Sequence, residues 1–248
     1  YSTVRWLFQP GSGYAVGPSR ANPYTGEIYD ADIRISADFV RSFYREQTEF
    51  IAPILGQVSM DFESEEPTEE FSSGMCQYGD HLREEMASGW DVMTTTGVLK
   101  GTDAELQNYI HNGLVDLILH EVGHTLGLRH NFKGSSIYSI EQLSDPKFTR
   151  KYGISGSVMD YQPINVFDGE TFFQTKPGVY DYWAIEYAYK QPDRSEHSEE
   201  KFLESIASRS TDPLLRYGTD EDTFGQSTRG MDPHSNAWDL TDDPMAYY

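Results

Sequence analysis

The sequence predicts an α+β fold in which a small twisted sheet packs on two long helices, followed by a mainly helical, loop-rich C-terminal portion. Three observations predict it. Apolar and polar residues alternate early, within residues 1–9 and 26–36, and a period of two marks half-buried strands. Apolar residues then recur at steps of three and four through residues 37–55, 76–93 and 102–118, the period of an amphipathic helix. Finally, 248 residues with 38% hydrophobic and 14% aromatic side chains can bury enough surface to offset their ordering entropy, as one large domain or one domain with a smaller extension.

The elements follow in order. YSTVRWLFQ sets Val4, Trp6 and Phe8 on one face of a strand. PGSGYAVGPSRANPYTG is a loop: its Gly11, Gly13 and Gly17 lack the spacing of a phosphate cradle, and no helix follows. GEIYDADIRIS alternates imperfectly through Ile28, Ala31, Ile33 and Ile35 and reads as a second strand. ADFVRSFYREQTEFIAPIL carries Phe39, Val40, Phe43 and Phe50 at helical spacing, with Pro53 near its end. DFESEEPTEEF holds six acidic residues, no base and a proline, the composition of a solvated loop or boundary. CQYGDHLREEMASGWDVM spaces Leu82, Met86, Trp90 and Met93 along one helical stripe, its methionines reading as core. After the TTTGVLKG break, Thr102 and Glu105 form a T-x-x-E capping box that opens a long helix. Its buried face carries Tyr109, Ile110, Leu114, Leu117 and Ile118.

Beyond residue 132, KGSSIYSIEQLSDPKFTRKYGISG is polar with short helical pieces. PGVYDYWAIEYAYK begins with a proline suited to a first helical turn, and SEEKFLESIAS is one more helix. From about residue 211 the chain turns to Asp, Pro, Gly and Thr and ends in NAWDLTDDPMAYY, with no internal repeat or low-complexity tract.

Composition excludes several function classes. A net charge of -21, from 40 acidic and 19 basic side chains, argues against nucleic acid as a partner and serves solubility rather than an acidic docking face. Calcium has no support beyond the number of carboxylates, because no DxDxDG-type loop is present. No apolar run is long enough to span a membrane. The single cysteine, Cys76, forms no intrachain disulfide, and reads as a small buried hydrophobe in preference to a zinc ligand or thiol nucleophile. The chain opens at Tyr1 without a charged-then-apolar leader, which points to processing or to a cut from something longer, and no N-glycosylation sequon occurs.

The chemistry concentrates in LILHEVGHTLGLRHNF, residues 117–132, which holds three of the seven histidines. His120 and His124 are four apart on the predicted helix, so both imidazoles leave one face a turn apart and can bridge one tetrahedral Zn²⁺. Glu121 lies at the side of that face, within reach of the ion's open position. Gly127 accepts a left-handed conformation, ends the helix and turns the chain so that His130 can return as a third ligand. Three protein ligands with a position left open are the pattern of catalytic rather than structural zinc.

HEVGHTLGLRH resembles the motif of the metzincin metallopeptidases, and GSVMDY at 156–161 resembles their Met-turn. LGLRHNFKGS and the downstream DPLLRYGTDED are similar to a group of large bacterial zinc-dependent metalloproteases. The resemblance implies a zincin-like architecture with a small mixed sheet. It divides the chain into an N-terminal subdomain, 1–130, with the sheet and active-site helix, and a C-terminal subdomain, 131–248, with the Met-turn and helices. It further implies one catalytic zinc, a protein or peptide substrate, and an extracellular, periplasmic or surface-attached place in a bacterium. Met159 would form a hydrophobic floor beneath the ligands, and Tyr161 would lie near the zinc as an oxyanion donor, or else as a packed core tyrosine.

The chain departs from the clan in two respects. Residues before the active-site helix read as helix and break rather than as a substrate-pairing edge strand, which leaves GEIYDADIRIS as the candidate docking edge. Cys76 in GMCQYGD does not match a matrixin-type pro-segment motif. Zinc as Lewis acid with Glu121 as general base gives peptide hydrolysis; a silent zinc-bearing binding module and a hydrolase of a non-peptide amide or ester are the alternatives. Asn131 and Asp160 flank the ligands, either orienting imidazoles or shaping turns, and Asp116 reads as a solvated helix position. His81, His111, His197 and His234 have no partner pattern and no assigned role.

Overall fold

The computed structural model describes residues 1–8, 15–45, 76–192, 198–225 and 231–247. The acidic stretch DFESEEPTEEF, residues 10–14 at the start of the first glycine loop, Phe50, Pro53 and His197 lie outside the described residues. The architecture is α+β. Strands β1 (Thr3–Leu7), β2 (Ala15–Val16), β3 (Ser19–Ala21) and β4 (Ile28–Ser36) form one small mixed sheet. β4 is central: β1 pairs with it in parallel, and β2 and β3 pair with it antiparallel. Ala15 faces Ile35 and Ser19 faces Ala31, so β2 and β3 keep one register and form a single interrupted strand.

The sheet departs from expectation in two respects. GEIYDADIRIS is no docking edge, because β4 is bonded on both sides. The face of β1 expected to pack is open, with Val4 56% and Trp6 47% exposed. Period-two alternation identifies a strand but not which of its faces is covered. In β4 the same alternation does point inward, and Ile33 and Ile35 are buried.

Helix α1 (Ala37–Arg45) follows β4 directly and buries Phe39 and Phe43. Helix α2 (Tyr78–Thr95) buries the predicted stripe of Leu82, Met86, Trp90 and Met93. Helix α3 (Asp103–Thr125) opens on the capping box: Thr102 Oγ1 accepts from the Glu105 N–H, and the Glu105 carboxylate accepts from the Thr102 N–H. Tyr109 joins these helices to the later chain. Its ring meets Phe43, Trp90, Phe172 and Phe173, and its hydroxyl donates to the Met86 carbonyl. The larger core thus draws on both sides of residue 130, while Tyr138, Leu143, Ile154 and Leu240 form a smaller cluster.

Asp116 is buried, not solvated. It accepts hydrogen bonds from the Tyr78 hydroxyl, the Gln162 amide and the Gln174 N–H, and burial pushes its carboxyl up to about 7.

The C-terminal portion is short helices and loops: α4 (Ile140–Leu143), α5 (Pro146–Tyr152), α6 (Val179–Tyr189), α7 (Glu199–Ala207) and α8 (Asp220–Thr223). Pro177 lies just outside α6, whose N-cap is Gly178. The final segment threads back beneath the site: the Trp238 N–H donates to the Tyr161 carbonyl and the Thr241 N–H to the Ser135 carbonyl. Trp238 and Thr241 hold left-handed φ of 66° and 79°, strain that the surrounding contacts sustain. Among the described residues no helix is long and apolar enough to cross a membrane.

Candidate metal centre

His120 and His124 project from the last turns of α3. Past Thr125 the helix closes with a Schellman motif: the Gly127 N–H donates to the His124 carbonyl and the Leu128 N–H to the Gly123 carbonyl. Gly127 takes φ +86°, a conformation that a side chain would resist. The reversal returns His130 to the helix, and the Nε2 atoms of His124 and His130 stand 3.1 Å apart.

Each imidazole is held by its other nitrogen. His120 Nδ1 is 2.7 Å from the Val158 carbonyl, His124 Nδ1 is 3.1 Å from the Leu128 carbonyl, and His130 Nδ1 is 2.7 Å from an Asp220 carboxylate oxygen. These partners are acceptors, so each Nδ1 carries the hydrogen and each Nε2 presents a lone pair inward. Lone pairs converging at this distance repel unless a positive charge lies between them. Protons fill that role poorly, since burial first, and the neighbouring imidazoles second, hold His120 well below its usual range and His124 down to about 4. Three imidazole nitrogens within 4.8 Å of one another are a donor set that fits Zn²⁺.

Glu121 lies beside the trio. It is fully buried, and neither carboxylate oxygen makes a well-formed hydrogen bond, although the Gly17 N–H and the Cys76 thiol are close enough to favour its ionised form. Burial outweighs them and raises the carboxyl to about 7. The Tyr161 hydroxyl is 3.2 Å from His130 Nε2 and accepts from the Gln77 N–H at 3.3 Å. Burial, and next Cys76, keep it protonated far above its usual range.

Beneath the ligands Met159 is buried against α3, so close that a Cβ on Gly123 would meet its sulfur at 2.1 Å. Asp181, near the start of α6, ties this turn down. Its carboxylate accepts from the Ser157 hydroxyl and from the Val158 and Gly178 N–H groups.

Asn131 and Asp160 touch no imidazole. Asn131 bridges to the Arg216 carbonyl and the Gly218 N–H, and Asp160 accepts from the Ser135 N–H, so both shape turns. Imidazole support comes instead from two backbone carbonyls and from Asp220, ninety residues past His130. Only the acidic RYGTDED run hinted at Asp220. Cys76 packs against the larger core in keeping with its reading as a hydrophobe, but it also makes polar contacts: its sulfur lies 3.3 Å from both His120 Nε2 and the Tyr161 hydroxyl. Burial, followed by the charge of Glu121, pushes its thiol up to about 12 in the absence of a metal.

The sequence profile of the Met-zincin family matches residues 102–248, from the cap of α3 to the last residue and more than half of the chain. The chain belongs to the Met-zincin family. Met-zincins are zinc metallopeptidases, in keeping with the donor set just described. The Met-zincin match leaves the sheet, α1, α2 and Cys76 outside its span. No curated protein and no solved structure matches the chain.

Proposed function

We propose that this Met-zincin is an endopeptidase in which His120, His124 and His130 hold one zinc, Glu121 is the general base and Tyr161 the oxyanion donor. The observation that carries the reading is Glu121, a buried carboxylate without a well-formed hydrogen bond, set beside three convergent imidazole lone pairs. Bound there, zinc supplies Lewis-acid polarisation of the scissile carbonyl and acidifies a water molecule.

Glu121, with its carboxyl lifted to about 7, is matched to taking a proton from the attacking water at neutral pH and passing it to the leaving amine. Tyr161, protonated and adjacent to His130, donates its hydrogen to the oxygen on which negative charge develops. Val158, Leu128 and Asp220 fix the imidazole tautomers so that ligand positions need not reorganise during the reaction.

The test is Glu121→Gln, which keeps the shape and removes the base. It should retain one zinc per chain by elemental analysis and lose ~10²–10⁴-fold in hydrolysis of a quenched peptide. Full retained turnover would remove Glu121 from the mechanism.

A further inference from the structure

We propose that Cys76 is a fourth, displaceable ligand of the metal, and that the conformation described is a latent one. The proposal rests on the three-histidine centre and names a way of controlling it.

The geometry carries it first. The Cys76 sulfur and the three imidazole nitrogens all lie within 4.8 Å of one another. A tetrahedral zinc with ordinary bond lengths separates two nitrogens by about 3.3 Å, and a nitrogen from a sulfur by about 3.6 Å. The His124–His130 nitrogens are 3.1 Å apart and the Cys76 sulfur is 3.3 Å from His120 Nε2. The thiol therefore occupies the side that three histidines alone leave open.

Glu121 is the independent observation. A general base must meet water and substrate, yet here it is sealed from solvent and its oxygens lack well-formed hydrogen bonds. Cys76 stands against it, on the side of His120 and Tyr161. The next two residues dock on the same groups: the Gln77 N–H donates to the Tyr161 hydroxyl, and the Tyr78 ring packs 4.5 Å from His120 and 5.1 Å from Tyr161. A segment that engages both the metal ligands and the oxyanion donor excludes substrate from them.

Cys76 can also leave. It precedes α2, whose N-cap Gln77 makes no side-chain capping bond, so withdrawing the sulfur unwinds no helical turn. Coordination replaces the S–H bond with a metal–sulfur bond and sends the proton to bulk water. Release reverses this, with a water molecule taking the vacated position. The residue lies before the matched family region, 102–248.

The experiment uses the 248-residue chain and its Cys76→Ala variant. Loaded with cobalt(II), the wild type should show a sulfur-to-cobalt charge-transfer band in the near ultraviolet that the variant lacks. Zinc should slow alkylation of the single cysteine by iodoacetamide about tenfold or more, and a chelator should restore it. Peptide hydrolysis should rise in Cys76→Ala, which also supplies the background for testing Glu121. A wild type that binds one metal without the charge-transfer band, or whose thiol reacts equally fast with and without zinc, overturns the proposal while leaving the three-histidine centre standing. If neither chain binds metal, the centre itself fails and the proposal with it. The wild-type spectrum and alkylation rate decide the matter even if the variant misfolds.

Discussion

Asp220 shows how much of the centre depends on single side chains far from the motif. Its carboxylate meets His130 Nδ1 at 2.7 Å, and Arg129 braces the same turn through an ion pair with Glu221. Burial alone would raise the Asp220 carboxyl, but the hydrogen bonds it accepts, from His130 first and from the Thr219 hydroxyl, help bring it down to about 2. Asp220 therefore stays charged across the working pH range and makes the third imidazole a better donor. Asp220→Asn should weaken zinc binding ~10–100-fold in a chelator competition, with the fold intact by circular dichroism. An unchanged affinity would show that the contact tunes nothing. At this scale the three histidines, Glu121, Met159 and Tyr161 could be picked out because they sit in or near one local motif. Asp220, Asp181 and the true position of Cys76 could not, since their partners are set by chain reversals that no local spacing encodes.

At the scale of elements, the site is a contact between the end of α3 and the turn at Ser157–Asp160. The two are joined by the His120–Val158 hydrogen bond, the Met159–Gly123 contact and the bond from the Asn131 N–H to the Met159 carbonyl. Gly123 is thus a packing requirement, distinct from the turn requirement at Gly127. Gly123→Ala should displace Met159, destabilise the protein by about 1–3 kcal/mol in urea unfolding and weaken zinc binding with it. A variant as stable as the wild type would mean that the turn moves freely against the helix. Helices α2 and α3 were legible because a long amphipathic stripe and a capping box are local signals. Strands β2 and β3 were not. They are two and three residues long, lie in a Gly- and Pro-rich stretch, and owe their strand geometry to β4 alongside them.

Over the whole molecule, burial of carboxyl groups links stability to pH. Burial raises Asp116, Asp160, Asp181 and Asp239 above the ordinary carboxyl range, and for Asp160 the neighbouring Asp239 adds to the effect. A carboxyl raised on folding binds a proton that the unfolded chain releases. Its stabilisation is full below pH ~4 and is lost as pH rises through the folded value, about 7 for Asp116. Asp116→Asn removes that linkage at one site. The stability lost between pH 5 and 8, measured by urea unfolding, should be about 1–3 kcal/mol smaller in the variant than in the wild type. The comparison cancels contributions from the histidines and the remaining acids, which both chains share. Equal losses would show that Asp116 is ionised throughout.

The sequence by itself determined the gathering of three histidines, the glycine reversal, the α+β class and the two long helices, because helical period, capping and turn chemistry act within a few residues. Tertiary structure alone decided which faces are covered, which distant acid meets His130 and that the Cys76 sulfur lies against His120. Those depend on how elements from both ends of the chain close over one buried point, and sequence spacing carries no information about that closure.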